Sequence, residues 1–265
     1  MSTAAVLRFA REHEYSLAAP ELLGLPASSR RTSYDPAQFR DRLIASLLAG
    51  DESTARQVVF ESYLARRPLA EIFDQIVAAA FHEIGERWAC HQVQVYQERR
   101  GCEICNRILL ELRHIQAPPG PTPRAIGGTL EGDLYGLPTT MIELVLREAG
   151  MNATALGISI PAESLASAVR DLRPALFWLS VSHIEEESRF VRAFATLTEA
   201  CQAQRTPLVV GGRALTDSLR RHLVYSAHCD TLEQLARLVE SFLEPRGNTS
   251  HGDPAFSPQD RPTSK

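Results

Sequence analysis

Lysine is all but missing. Of the 28 Lys and Arg residues in this 265-residue chain, only Lys265 is a lysine. A Walker phosphate loop, a Schiff-base or pyridoxal enzyme and a protein kinase each need an internal lysine, and the chain has none to give. A basic field is missing too. The 32 acidic residues outnumber the basic ones and the net charge is −4, which argues against whole-chain capture of nucleic acid. Long apolar runs are also absent: no stretch reaches the roughly 18 residues of a membrane span. Met1 to Glu12 is amphipathic and lacks the apolar stretch of a signal peptide, so a cytoplasmic location and no membrane partner are expected. The five cysteines are odd in number and read as reduced thiols, not as a disulfide framework.

What is present divides into two blocks around Ala117-Pro-Pro-Gly-Pro-Thr-Pro-Arg124, whose prolines make residues 117–124 a stiff linker. Before it the apolar spacing is helical. Asp35 caps a helix over Pro36–Leu48 that ends at Gly50, and Asp51 caps Glu52–Arg66. Pro68–Trp88 and Val93–Ile115 come next, so residues 35–116 are expected to form a four-helix-type bundle. Residues 1–34 hold a short helix, Ala4–Glu12, and then a loop.

After the linker, short apolar runs alternate with amphipathic helices: strands at Ala125–Leu130, Ala153–Leu156, Ala175–Val181, Pro207–Val210 and Leu223–Tyr225. That alternation predicts an α/β domain over 125–244, a doubly wound parallel five-stranded sheet covered on both faces. Ligands in such sheets bind beyond the carboxyl ends of the strands. Those ends are Glu131–Pro138, Gly157–Pro161, Ser180–Ile184 and Gly211–Arg213. Residues 245–265 are polar and rich in Pro and Ser, and a disordered tail is expected.

Several side chains invite chemistry. His82, Glu83, Glu86, Cys90, His91, Cys102 and Cys105 crowd one region, but a zincin helix needs histidine where Glu86 stands, and Cys102 and Cys105 lie mid-helix with no strand before them. Bundle packing is the plainer reading of the two cysteines. Ser180, His183 and an acid of Glu185–Glu187 make a formal hydrolase set, yet no Gly-x-Ser-x-Gly elbow surrounds the serine. Trp88 ends one long helix and Glu98 opens the next, so both can face one end of the bundle. Asp133, Tyr135, Gly136, Ser180, Ser182, Gly211 and Gly212 all sit at strand ends.

Together these residues resemble the cobalamin-binding module of corrinoid proteins and of light-sensing, MerR-associated transcription regulators of the CarH type. That family joins a helical cap to a flavodoxin-like domain, and its cap carries Trp, nine residues, then Glu-His. Trp88 and Glu98 match, and Arg99 takes the histidine's place. The first loop of the family reads Asp-x-His-x-x-Gly. Here Asp133 matches, Tyr135 stands at the axial histidine and so is the candidate cobalt ligand, and Pro138 stands at the glycine, where the nucleotide tail of cobalamin enters. Ser180-Val-Ser182 and Gly211-Gly212 match the later loops. The resemblance implies a non-enzymatic sensory module that binds cobalamin, or in its place haem or a bilin, whose carboxylates suit Arg99. It also implies a homo-oligomer or a regulator as partner, with no direct DNA binding evident in this chain. A corrinoid carrier of a methyltransferase system, or a degenerate module binding no tetrapyrrole, are the alternatives.

Overall fold

The computed structural model describes residues 3–13, 34–116 and 120–243. The expected loop after the first helix, part of the 117–124 linker and the 245–265 tail lie outside them.

The helical block begins with α1 (Thr3–His13), α2 (Pro36–Ala49) and α3 (Glu52–Leu64). Asp35 and Asp51 cap α2 and α3 by accepting the backbone N–H of Ala37 and Thr54, each at 3.0 Å. Gly50 ends α2 at φ 78°, a left-handed position that favours glycine. The expected Pro68–Trp88 helix is continuous but not uniform: α4 (Leu69–Ile72) widens into a π segment (Phe73–Ala78) before α5 (Ala79–Ala89). After a tight turn at 90–94, α6 (Val95–Ile115) runs back, started by a reciprocal Gln94–Gln97 capping box. Leu43, Leu47, Phe60, Phe73, Ile76 and Leu112 are among the fully buried side chains of this core.

The second block is β1 (Arg124–Leu130), α7 (Gly136–Glu148), β2 (Asn152–Ile160), α8 (Ala162–Leu172), β3 (Leu176–Ser180), α9 (Glu187–Gln204), β4 (Leu208–Gly211), α10 (Asp217–Arg220), β5 (Ala227–His228) and α11 (Leu232–Leu243). All ladders are parallel and the strand order is β2-β1-β3-β4-β5. That is the doubly wound arrangement expected from the alternation. Helices α7 and α11 cover the face that carries Leu176, Trp178 and Val209. Helices α8 and α9 cover the face that carries Phe177, Leu179 and Val210.

Two strands differ from expectation. The ladder of β2 runs past Gly157 to Ile160, with irregular register where Gly128 meets Gly157. The last strand is not Leu223–Tyr225 but Ala227–His228. Leu223 and Tyr225 set their apolar surface against the α9 side of the core and Val224 faces solvent, so the apolar run was a packing signal and not a ladder signal.

The bundle does not cross the strand ends as a lid. It leans on the outer side of α7 and α11, because α7 is apolar on two sides: Leu137, Met141, Leu144 and Val145 join the bundle core, while Leu146 joins the sheet core. Three carboxylates pin this contact. Glu143 accepts from Arg113 of α6 at 2.6 Å and from the Ala155 N–H of β2 at 3.1 Å. Glu148 accepts from Arg11 of α1 and from the Leu69 N–H, both at 2.6 Å. Asp74, in the π segment, accepts from the first N–H groups of α11, Leu232 and Glu233, at 3.0 and 2.9 Å.

Arg113→Ala leaves the buried Glu143 carboxylate without its cation and should cost about 2 kcal/mol in urea unfolding. Burial pushes the carboxyls of Asp74 and Glu148 above the ordinary range. An acid whose pKa is higher folded than unfolded lends stability that is present below the unfolded pKa and lost as the pH rises through the folded one. The stability advantage of the wild type over Asp74→Asn/Glu148→Gln should therefore shrink as the pH climbs from about 4. Urea midpoints across that range read it, and a difference that grows with pH would contradict the burial argument.

Candidate functional site

At the carboxyl edge, Asp133 is only 3% exposed. Its Oδ1 accepts the Tyr135 N–H at 3.0 Å, and its Oδ2 accepts the N–H groups of Ser182 at 2.6 Å and His183 at 3.2 Å. Its carbonyl accepts the Thr129 hydroxyl at 2.7 Å and the Ser159 N–H at 3.2 Å. One residue thus fastens the ends of β1, β2 and β3 together. Its carboxylate is occupied by backbone donors and does not orient the Tyr135 phenol.

Tyr135 is the half-buried N-cap residue of α7. Its ring lies 6.4 Å from the His183 ring, and the Arg213 guanidinium sits 5.3 Å from its centroid. Arg213 also donates to the Ser182 carbonyl at 3.4 Å. The sequence places Arg213 in the fourth strand-end loop but gives it no role; its position directly after Gly211-Gly212 is the signal that could have found it. Beside this cluster, Leu134 and Ile158 are exposed, and Gly136 lies close beneath Ile158.

Gly211 and Gly212 are required by close approach. A Cβ on Gly211 would lie 2.6 Å from the Cys229 carbonyl oxygen, and one on Gly212 would lie 2.2 Å from that of Val181, at a φ of +121°. Ser180 and Ser182 are buried. Asp133, Ser180 and His183 line a cavity of about 330 Å³ that opens toward α8 and α9, walled by Glu131, Glu185 and Arg189 among others.

The bundle residues stand apart. Trp88 is 51% exposed at the end of α5. Glu98 pairs with Arg99 at 3.6 Å and accepts from the Cys102 thiol at 3.6 Å. None of Trp88, Glu98 and Arg99 lines the carboxyl-edge cavity, nor the one of about 490 Å³ between Arg40, His82, Glu83, Glu86 and Cys90. Burial, then the Glu98 charge, pushes the Cys102 thiol up to about 12, and Cys105 is raised by burial as well. Both are protonated thiols packed in α6, as their spacing suggested. Among the described residues, no group of three or more His, Cys, Asp or Glu side chains could hold a metal ion.

Comparison with known proteins gives this architecture its class. Residues 39–113 and 123–235 match two B12 binding domain families, so the chain carries a cobalamin-binding-type module, a helical cap and a flavodoxin-like domain. It is 29% identical over 176 residues to the HTH-type transcriptional repressor CarH of Myxococcus xanthus, covering 66% of this chain and 58% of the repressor. It is 21% identical over 170 residues to the trimethylamine corrinoid protein of Methanosarcina barkeri, covering 63% of this chain and 78% of that protein. The monomethylamine corrinoid protein of Methanosarcina barkeri shares the fold, with a TM-score of 0.62 at 14% identity over 79% of this chain and 100% of that one. The chain thus spans little more than half the length of the repressor.

The residues fit only part of what these families imply. The apolar Leu134, Tyr135 and Ile158 surface suits one face of a flat macrocycle. The lower half of a cobalamin site is not built: position 135 offers a phenol, and beneath the first turn of α7 the sheet is filled by Trp178, whose indole donates to Thr139 at 2.9 Å.

Asp133→Ala strips three backbone N–H groups of their acceptor, that of Ser182 buried and those of Tyr135 and His183 partly so, and should cost about 2 kcal/mol. Amide hydrogen exchange at Ser182 and His183 should accelerate in that variant far more than at the bundle core.

Proposed function

We propose that this chain is a sensory module that takes a tetrapyrrole at the carboxyl edge of its sheet and reports it through the lean of the bundle. The observation that carries the reading is the first loop. Where a methyl-carrying corrinoid protein would hold cobalt on an imidazole, this chain presents Tyr135, held against Arg213 and His183. A phenol must lose a proton of pKa about 10 before it becomes a good ligand, whereas an imidazole is a neutral ligand at pH 7. That weighs against a carrier that cycles cobalt and in favour of binding for signalling. The similarity to a repressor supports the same side.

The carboxylate pins supply the reporting route. Tyr135 occupies the N-cap position of α7, and Glu148 ends the same helix in contact with both α4 and α1. A ligand that shifts the start of α7 therefore acts on a rod whose other end holds the bundle and the first helix. In the proposed bound form Trp88 and Tyr96, both exposed at the bundle end, close over the macrocycle from the other side with Glu98 and Arg99.

The intact chain, titrated in the dark and in the light with cobalamin, haem and biliverdin, should show a spectral shift with at least one of them. The same mixture should change its elution volume in size-exclusion chromatography. Tyr135→His should tighten the binding of cobinamide, a corrin whose lower face carries no nucleotide base, by about tenfold or more. Silence with all three tetrapyrroles sinks the reading. Methyl transfer to or from a bound corrinoid, without any change in assembly, moves the chain to the carrier side.

A further inference from the structure

We infer that the site selects a macrocycle that carries no nucleotide tail inserted into the protein. The inference rests on the tetrapyrrole reading and adds the class of ligand. A tail descending from a corrin at the carboxyl edge needs a slot between the sheet and one of its helix layers. On the α7 side the slot is taken. Trp178 is 1% exposed and projects from β3 under the first turn of α7. Its indole is fixed by the Thr139 hydroxyl, itself buried. The fit around it is so close that a single Cβ on Gly127 would lie 2.2 Å from the Trp178 carbonyl oxygen and 2.3 Å from its ring. An indole and a benzimidazole are fused bicycles of the same size. The protein has placed its own bicycle where a tail base would lie, and exchanging one for the other would empty a core that tolerates no voids.

The other side is open but of the wrong charge. The cavity toward α8 and α9 presents Glu131, Glu163, Glu185 and Glu186, and one of its arginines, Arg189, is already paired with Glu131 at 2.7 Å. A tail phosphodiester is an anion and meets like charge there. What remains is the apolar ledge of Leu134, Tyr135 and Ile158, which touches a ring face and asks nothing of a tail.

The test uses the intact chain and two ligands that differ only in the tail: cobalamin, and cobinamide, the same corrin without its nucleotide. Absorbance titration should give dissociation constants within about threefold of each other. Bound cobalamin should keep the spectrum in which its own base remains on cobalt. Binding of haem or biliverdin with neither corrinoid bound overturns the inference, since cobinamide has no tail either and its exclusion must then have another cause. A preference for cobalamin beyond threefold, with the base displaced from cobalt, overturns it while leaving the tetrapyrrole reading standing. Failure of all four ligands overturns both.

Discussion

Glu143 is the carboxylate on which three layers converge. It is nearly buried, and it accepts at one oxygen from the bundle through Arg113 and at the other from the sheet through the Ala155 N–H. Its backbone belongs to α7, which lies between. A charge held in such a place needs both partners to be tolerable, because desolvation of an unpaired carboxylate outweighs what the pair contributes. The relative position of bundle and sheet is therefore fixed by more than apolar contact, which alone would permit sliding. Glu148 and Asp74 repeat the device at two other points, and both accept backbone N–H groups at helix starts that would otherwise lack acceptors.

At the carboxyl edge the same device holds, with backbone in place of side chains. Asp133 satisfies N–H groups from two loops, and the glycines at 127, 128, 211 and 212 let neighbouring strands and loops approach to distances that a Cβ would forbid. Much of what reads as a binding motif in the linear chain thus serves to hold the strand ends together. Facing outward beside Tyr135 are His183, Arg213 and the apolar Leu134 and Ile158, with the acids Glu131, Glu185 and Glu186 on the side of α9.

The fold was legible because its signals are local. Asp35-Pro36, Gly50 and the proline-rich segment mark helix starts, stops and a break by their own backbone chemistry. The apolar runs of β1, β3 and β4 are buried on both faces and can be little else. The final strand was illegible for the converse reason. Ala227 and His228 carry no apolar signal, and the run that does, Leu223–Tyr225, covers a neighbouring helix. The loops of the site were legible from topology and resemblance. What they do with their side chains was not: that Asp133 serves backbone donors, or that Trp178 stands under α7, depends on contacts across 49 and 39 residues of sequence. Likewise the bundle's position beside the strand ends, not over them, stems from the second apolar side of α7, which in the sequence is only a slightly richer helix.

The widened turn at Phe73–Ala78 carries a last consequence. A π turn holds one residue more than the α geometry around it, so it sets the angular phase of α5 relative to α4. Asp74 is phased to reach α11 and Trp88, farther along, is phased to face water. Removing one residue there would let an ordinary α turn cover the same rotation with one residue fewer, leaving Trp88 on its present side of the bundle. The π segment thus works as a splice: the chain stores one residue there while both the anchored half and the tip of the bundle keep their direction.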